Sequence, residues 1–317
     1  MKTTTIRQTL CIPLTYIFIL LLAGINMACS DEDDKLAAGE ENNPPTETGE
    51  VRSFVYQLTN YPDGKLDALA DAPQDLAVID LARDGGEGYF TREEIETLRN
   101  SGKKVLAYFS MGTNETYRPE YEAVVEAGLQ LNHWPDWPDE YFVKYWEPAW
   151  WELAVKGRID QAIAAGFDGV YLDIPNAYEE IDLDLVPGED RESLARKMVD
   201  QIIHIGEYAK AQSPGFRIFP QNSPELRHYE GYTEAIDGLG VEDLFFRDAD
   251  IPCTEDWCAE NLANVRALKE AGKVILAVDY ANKAENRSYA CERYAQYGFA
   301  GYVSVVELDR IMPPCGE

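Results

Sequence analysis

Gly166-Phe167-Asp168-Gly169-Val170-Tyr171-Leu172-Asp173 decides the fold in eight residues. Upstream, Glu152 to Ala165 is an amphipathic stretch with apolar Leu153, Ile159, Ala162 and Ile163, and Gly166 stops it. Asp168 then reads as a turn or cap residue, and Gly169 opens a short β-branched and aromatic run that ends on a carboxylate. Seven other runs end on polar residues in the same way: Phe54 to Gln57, Leu76 to Asp80, Val105 to Ser110, Arg217 to Asn222, Gly238 to Glu242, Val274 to Tyr280 and Gly301 to Glu307. Strands alternating with helices imply parallel strands joined by crossovers. Eight such units fill about 250 residues in one closed barrel. The expected fold is therefore α/β, a single (β/α)8 TIM barrel over residues 51–317. Side chains at the C-terminal strand ends form the active face of that fold, so chemistry is expected at the polar endings.

Helix signals fit the gaps. Thr91-Arg92-Glu93-Glu94 is a capping box whose helix runs toward Gly102, and Asp190 to Ala211 and Asn261 to Ala271 are further helical stretches. Met111 to Trp151, after the third strand, is far longer than the roughly 2 to 6 residues of an ordinary βα connection. This insert holds His133, Trp134, Trp137, Tyr141, Phe142, Tyr145, Trp146, Trp150 and Trp151, every tryptophan of the chain except Trp257. Aromatic faces stack on sugar rings, so the cluster predicts a carbohydrate groove, although most single members are expected to pack against the barrel.

The N-terminus reads as an export signal over residues 1–28. Lys2 and Arg7 precede an apolar run from Leu10 to Ala23 that is short for a membrane span. Met27-Ala28-Cys29 is similar to a lipobox, which makes Cys29 the expected lipidated residue, with simple cleavage as the alternative. Residues 29–50, including Ser30-Asp31-Glu32-Asp33-Asp34, have too little apolar content to fold and read as an acidic tether. The expected setting is outside the cytoplasm, on an outer membrane or cell surface, with membrane contact through the lipid alone and the domain acting as a monomer.

Of six cysteines, Cys253, Cys258, Cys291 and Cys315 remain for the folded domain. An oxidising compartment favours two disulfides, and three pairings are open. Cys253 with Cys258 and Cys291 with Cys315 is the preferred one. A metal site is disfavoured because His133, His204 and His228 fall in the insert, a helix and the loop after the fifth strand. No cofactor is needed. The net charge of -29 argues against nucleic acid and anionic lipid and leaves neutral or cationic partners.

Hydrolysis of a glycosidic bond needs one carboxylic acid to protonate the leaving oxygen and one carboxylate to attack carbon or activate water. Asp173 and Glu242 close their strands at the predicted barrel mouth. Asp80, Asp279 and Glu307 close others, while Asp243 lies one residue past Glu242, turned differently. Asp168 and Asp237 precede their strands and read as turn or cap residues. Tyr56, Tyr108, Ser110, Asn222, Tyr280 and Trp146 complete the expected ring of sugar-binding groups. Arg118 reads either as an orienter of a carboxylate or as a surface residue.

Ala107-Tyr108-Phe109-Ser110-Met111-Gly112 followed by Glu115 and Arg118, the segment 166–173, Pro220-Gln221-Asn222, Asp237-Gly238 with Val241-Glu242, and Val278-Asp279-Tyr280 together resemble glycoside hydrolase family 114. The likeness spans roughly residues 52 to 310. It implies a (β/α)8 barrel, endo-α-1,4-polygalactosaminidase activity and Asp173 with Glu242 as the catalytic pair. By analogy with barrel α-galactosidases, Asp173 is the expected nucleophile and Glu242 the general acid/base. One departure is Leu172-Asp173-Ile174-Pro175-Asn176, where many relatives read Leu-Asp-Asn. A polymer of deacetylated galactosamine is cationic and suits an acidic barrel. The rival reading is a non-catalytic glycan-binding surface lipoprotein, which has no need of two acids so placed.

Overall fold

The computed structural model describes residues 51–316. The signal, Cys29 and the tether lie outside the described residues. Strands β1 (Phe54–Tyr56), β2 (Leu76–Asp80), β3 (Lys104–Ser110), β4 (Gly169–Asp173) and β5 (Arg217–Pro220) lie side by side in that order, all parallel. Strands β6 (Gly238–Glu242), β7 (Val274–Tyr280) and β8 (Ala300–Ser304) form a second parallel arc. Single parallel bridges, Ser53 with Gly301 and Gln221 with Gly240, join the arcs at both seams, giving the order of an eight-stranded barrel. Outside lie α1 (Arg92–Asn100), α2 (Lys156–Ala165), α3 (Arg191–Gln212), α4 (Asp256–Glu270) and α5 (Ala284–Tyr297). Two crossovers are reduced to short helical turns: Asp67–Asp71 before β2, and Pro224–His228 with Tyr232–Ala235 before β6.

The strands are short apolar runs because both faces are covered. Every residue of β2 is buried, as a parallel strand between helices and barrel interior requires. Inside, large residues face small ones. Gly238 and Gly240 of β6 leave space for Phe219 and Tyr171, and a Cβ on Gly240 would overlap the Tyr171 hydroxyl. Tyr56, Tyr108 and Tyr171 meet with ring centroids 5.3 to 6.5 Å apart and floor the mouth. At the opposite end three aspartates staple neighbouring strands. Asp75, Asp168 and Asp237, each just ahead of a strand, accept the amide protons of Ser53 at 3.1 Å, Val105 at 2.9 Å and Ile218 at 2.9 Å. Asp168 and Asp237 thus hold the barrel floor, far from the strand tips.

Thr91 and Glu94 form the expected capping box on α1, and both preferred disulfides, Cys253–Cys258 and Cys291–Cys315, are present. The insert is more ordered than a loop. It folds as a three-stranded antiparallel sheet of Thr113–Glu115, Glu140–Val143 and Gln130–His133, with a helix at Tyr121–Glu126. Its last aromatics belong to a helical segment that starts at Pro148 and runs through a π turn, Trp151–Val155, into α2.

Candidate active site

The pleat decides which side chains enter the mouth. In β4, Gly169, Tyr171 and Asp173 share the inward face, and Ser110 of β3 stands opposite Asp173 in register. Gly238, Gly240 and Glu242 share the inward face of β6. Asp173 and Glu242 therefore rise from strands two apart toward one opening.

Asp173 takes two hydrogen bonds, from the Tyr108 hydroxyl to Oδ2 and from the Ile174 amide to Oδ1 at 2.9 Å. Burial first, and the Glu242 charge second, push its carboxyl up to about 7, while the Tyr108 and Ile174 donors act the other way. The chain turns sharply just after it. Ile174 has φ 59°, a conformation that a β-branched residue adopts only under strain. Gly112 permits this turn, because a Cβ there would overlap the Ile174 carbonyl oxygen.

Glu242 is held by three donors. The Tyr280 hydroxyl gives to Oε1, and Gln221 Nε2 and Asn222 Nδ2, the latter at 3.2 Å, give to Oε2. Asn222 also accepts the Glu242 amide proton at 2.9 Å and gives its own amide proton to the Gly240 carbonyl at 2.7 Å. That double clasp needs Asn222 at φ 65°, which asparagine tolerates better than most residues. Tyr56 lies one bond further back. Its buried hydroxyl gives to Gln221 Oε1 at 2.9 Å, so it orients the residue that orients Glu242.

Several expected sugar contacts are placed elsewhere. Asp80 is buried and bidentate to Arg118, with its oxygens 3.1 and 3.0 Å from the guanidinium, and Arg118 binds Glu115 at 2.7 Å. Both charges need partners in a dry site, so Asp80 is a core ion-pair member and Arg118 its buried partner. Asp279 faces outward, because Tyr280 faces inward and neighbours on a strand alternate. It accepts the Phe245 and Phe246 amides at 2.7 Å each and the Tyr294 hydroxyl at 2.5 Å. Asp279 therefore shapes the β6 loop from behind. Ser110 is buried against Thr113, hydroxyl to hydroxyl at 2.6 Å. Strand β8 stops at Ser304, which leaves Glu307 in an exposed turn. Tyr56 is spent on Gln221, as above. Trp146 packs edge-on against Tyr145 and under the Lys197 ammonium of α3, 4.8 Å from its ring.

The aromatic groove is dispersed for the same reason: most indoles of the insert bury surface, and Trp137 alone among them stays exposed. Trp150 is fully buried and gives its N–H to the Met111 carbonyl at 3.1 Å, Trp151 meets His204 and Tyr208 of α3, and Trp134 packs on Phe142.

Three residues, Gln221, Glu140 and Trp257, escaped the sequence reading of the site, and a fourth, Asp243, was set aside in it as turned differently. Gln221 sits beside Asn222 in Pro220-Gln221-Asn222, and its position just past a strand was the available signal. Glu140, from the central insert strand, accepts a 2.7 Å bond from Thr113 and is raised to about 8 by burial and then by the Glu115 charge. Asp243, at φ 56°, is raised to about 8 by burial and then by the Glu242 charge. Trp257, the one tryptophan outside the insert, lines an open cleft of about 500 Å³ together with Glu242, Asp243 and Asn222. That cleft also carries Glu179, Glu225 and Glu260, and no lysine or arginine lines it. Among the described residues, one cluster has metal-ligand spacing, Cys253 with Glu255 and Cys258, and its two thiols are joined as the disulfide.

The model of glycoside-hydrolase family GH114 matches residues 34–317. The chain belongs to glycoside-hydrolase family GH114. A GH114 chain with two inward carboxylates on β4 and β6 is a glycosidase. An uncharacterised protein of Deinococcus radiodurans is 34% identical over 265 residues, 83% of each chain. Among solved structures, Aspergillus fumigatus Ega3 in complex with galactosamine superposes with a TM-score of 0.65 at 15% identity, covering 86% of this chain and 100% of Ega3. The glycoside hydrolase domain of PelA from Pseudomonas aeruginosa gives 0.62 at 19% identity, covering 81% and 96%. Both share the barrel with this GH114 chain.

Proposed function

We propose that this glycosidase cleaves an α-linked galactosamine-containing polysaccharide, in the manner of an endo-α-1,4-polygalactosaminidase. The observation that carries the reading is the cleft opening from Glu242, which is walled by carboxylates and carries no cationic side chain. Such a wall attracts a protonated amino sugar and offers charge-assisted hydrogen bonds to its ammonium group. Galactosamine bound in the structurally similar Ega3 supports the same sugar.

In this reading Asp173 attacks the anomeric carbon. Glu242, oriented by Tyr280, Gln221 and Asn222, protonates the departing oxygen and then takes a proton from the water that releases the sugar. The floor of tyrosines excludes water beneath the pair, and Tyr108 stabilises the ionised Asp173 that attack requires. A nucleophilic Asp173 makes the product retain its α configuration. Export is part of the proposal. The two disulfides support an oxidising compartment, and Cys29→Ala would abolish lipid labelling of the protein if that cysteine is the anchor.

The test is reducing-end release from partially deacetylated galactosaminogalactan by wild type, Asp173→Asn and Glu242→Gln. Release by wild type and a loss of more than about a thousandfold in each variant is the expected result. Folded wild type that binds the polymer but releases nothing would favour the non-catalytic glycan-binding reading.

A further inference from the structure

Trp137 of the insert is 49% exposed but does not line the cleft, and Trp257 differs both from it and from the packed tryptophans. It is the second residue of α4, it is 48% exposed, and it lines the cleft that contains Glu242. Leaving half an indole in water forgoes much of the apolar burial that such a ring can supply, so a surface that covers it is favoured. Its surroundings fix where it stands. From Glu242 the chain runs through Asp243 to Phe245 and Phe246, whose amides are both held by Asp279. Phe246-Arg247 pairs back on Ile251-Pro252, and the Cys253 amide bonds the Phe245 carbonyl at 2.9 Å. The disulfide then joins Cys253 to Cys258, one residue past Trp257 and itself buried, while Arg247 binds Glu255 at 2.7 Å. The indole is thus mounted on a short covalent ring anchored to the strand that bears Glu242.

We propose that Trp257 is the floor of a sugar subsite farther along the cleft from the scissile bond, positioned by the Cys253–Cys258 disulfide, with Glu225 and Glu260 facing the amine of a galactosamine unit. The subsite rests on the substrate reading above. A pyranose lays its C–H face on the indole, as apolar ring surfaces do, and an ammonium held over the ring face gains from both the carboxylates and the π system. Trp257 touches a sugar remote from the reacting carbon, so it acts on binding of longer chains and not on the chemical step. The disulfide is a positioning element; its loss lets the first turn of α4 move and blurs the platform without emptying the barrel core.

The experiment is calorimetric titration of α-1,4-galactosamine oligosaccharides of two to six units into full-length Asp173→Asn protein, alone and with Trp257→Ala, Trp257→Phe or Cys253→Ser/Cys258→Ser added. The parent should bind longer oligomers more tightly. Trp257→Ala should weaken the longest by about tenfold and leave the shortest unchanged, Trp257→Phe should recover most of that loss, and the cysteine pair should fall between. In active protein the same changes should raise KM for polymer with kcat nearly unaltered. Equal weakening at every length, or a phenylalanine variant as poor as alanine, would overturn the subsite by making Trp257 merely structural. Unchanged binding in Trp257→Ala, with wild type still hydrolysing the polymer, refutes the subsite alone. No binding to the parent and no hydrolysis by wild type refutes the substrate reading and takes the subsite with it.

Discussion

Asp173→Asn should remove activity and increase stability, with a pH dependence set by where the carboxyl sits. In the folded protein that group is raised from 3.8 to about 7, chiefly by burial and next by Glu242. Raising a carboxyl that far sets a ceiling of about 4 kcal/mol on what its ionisation costs the fold. The side chain keeps part of its surface open to the mouth, and solvent screening reduces the expected value to about 2 kcal/mol. The sign follows from linkage. A carboxyl whose folded value is raised contributes its stability below the unfolded value, near pH 4, and loses it as pH rises through about 7. Asparagine is neutral throughout and nearly isosteric. Its carbonyl can still accept the Ile174 amide, and the Tyr108 hydroxyl can turn to accept from its amide. Urea unfolding at pH 4.5 and pH 8 should therefore show the variant about 1 kcal/mol more stable than wild type at the lower pH and about 2 kcal/mol more stable at the higher one. An equal difference at both values, or a wild type more stable at pH 8, would refute the claim that the mouth holds Asp173 under electrostatic load.

Tyr108→Phe removes a donor that favours ionised Asp173, so the acid limb of kcat/KM, set near 7 in wild type, should move to higher pH; a shift downward, read from a pH–rate profile, would contradict this. Arg118→Met strands the buried Asp80 carboxylate, takes from Glu115 the nearer of its two guanidinium partners, and should cost about 3 to 5 kcal/mol in denaturant unfolding. Cys291→Ser/Cys315→Ser opens a loop with sequence separation 24 that ties the C-terminal tail to α5, and should cost about 3.5 kcal/mol on chain-entropy grounds. Circular dichroism at rising urea concentration reads both.

The barrel was legible because parallel strands buried on both faces must be short apolar runs, and the segment 166–173 shows helix stop, turn and strand in eight residues. Asp173, Glu242, Tyr108, Asn222 and Tyr280 all stand at the mouth because strand ends are recognisable from such runs. Asp279 was misplaced although the pattern held the answer: with Tyr280 inward, the preceding residue cannot face the same way. Asp80 could not be read correctly, since the guanidinium that claims it comes from a turn 38 residues later and only the folded insert brings it there. Glu307 was lost to a boundary, as β8 ends three residues short of it. The tryptophans misled for an energetic reason. Aromatic composition predicts burial more strongly than it predicts stacking, and the platform candidate is the indole that the composition argument passed over.

The seam between β5 and β6 passes between the two carboxylates, and in the ladder it is stitched by one bridge, Gln221 with Gly240. At the far end Asp237 and Ile218 close it, and at the mouth the crossings are made by Gln221 and Asn222 themselves, through Glu242 and the Gly240 carbonyl. At the mouth the gap between Asp173 and Glu242 is thus gauged by two amide side chains rather than by a continuous ladder. A substitution at either one works as an adjustable calliper on the pair, and across related barrels the residues at these two positions should predict whether the anomeric centre is inverted or kept.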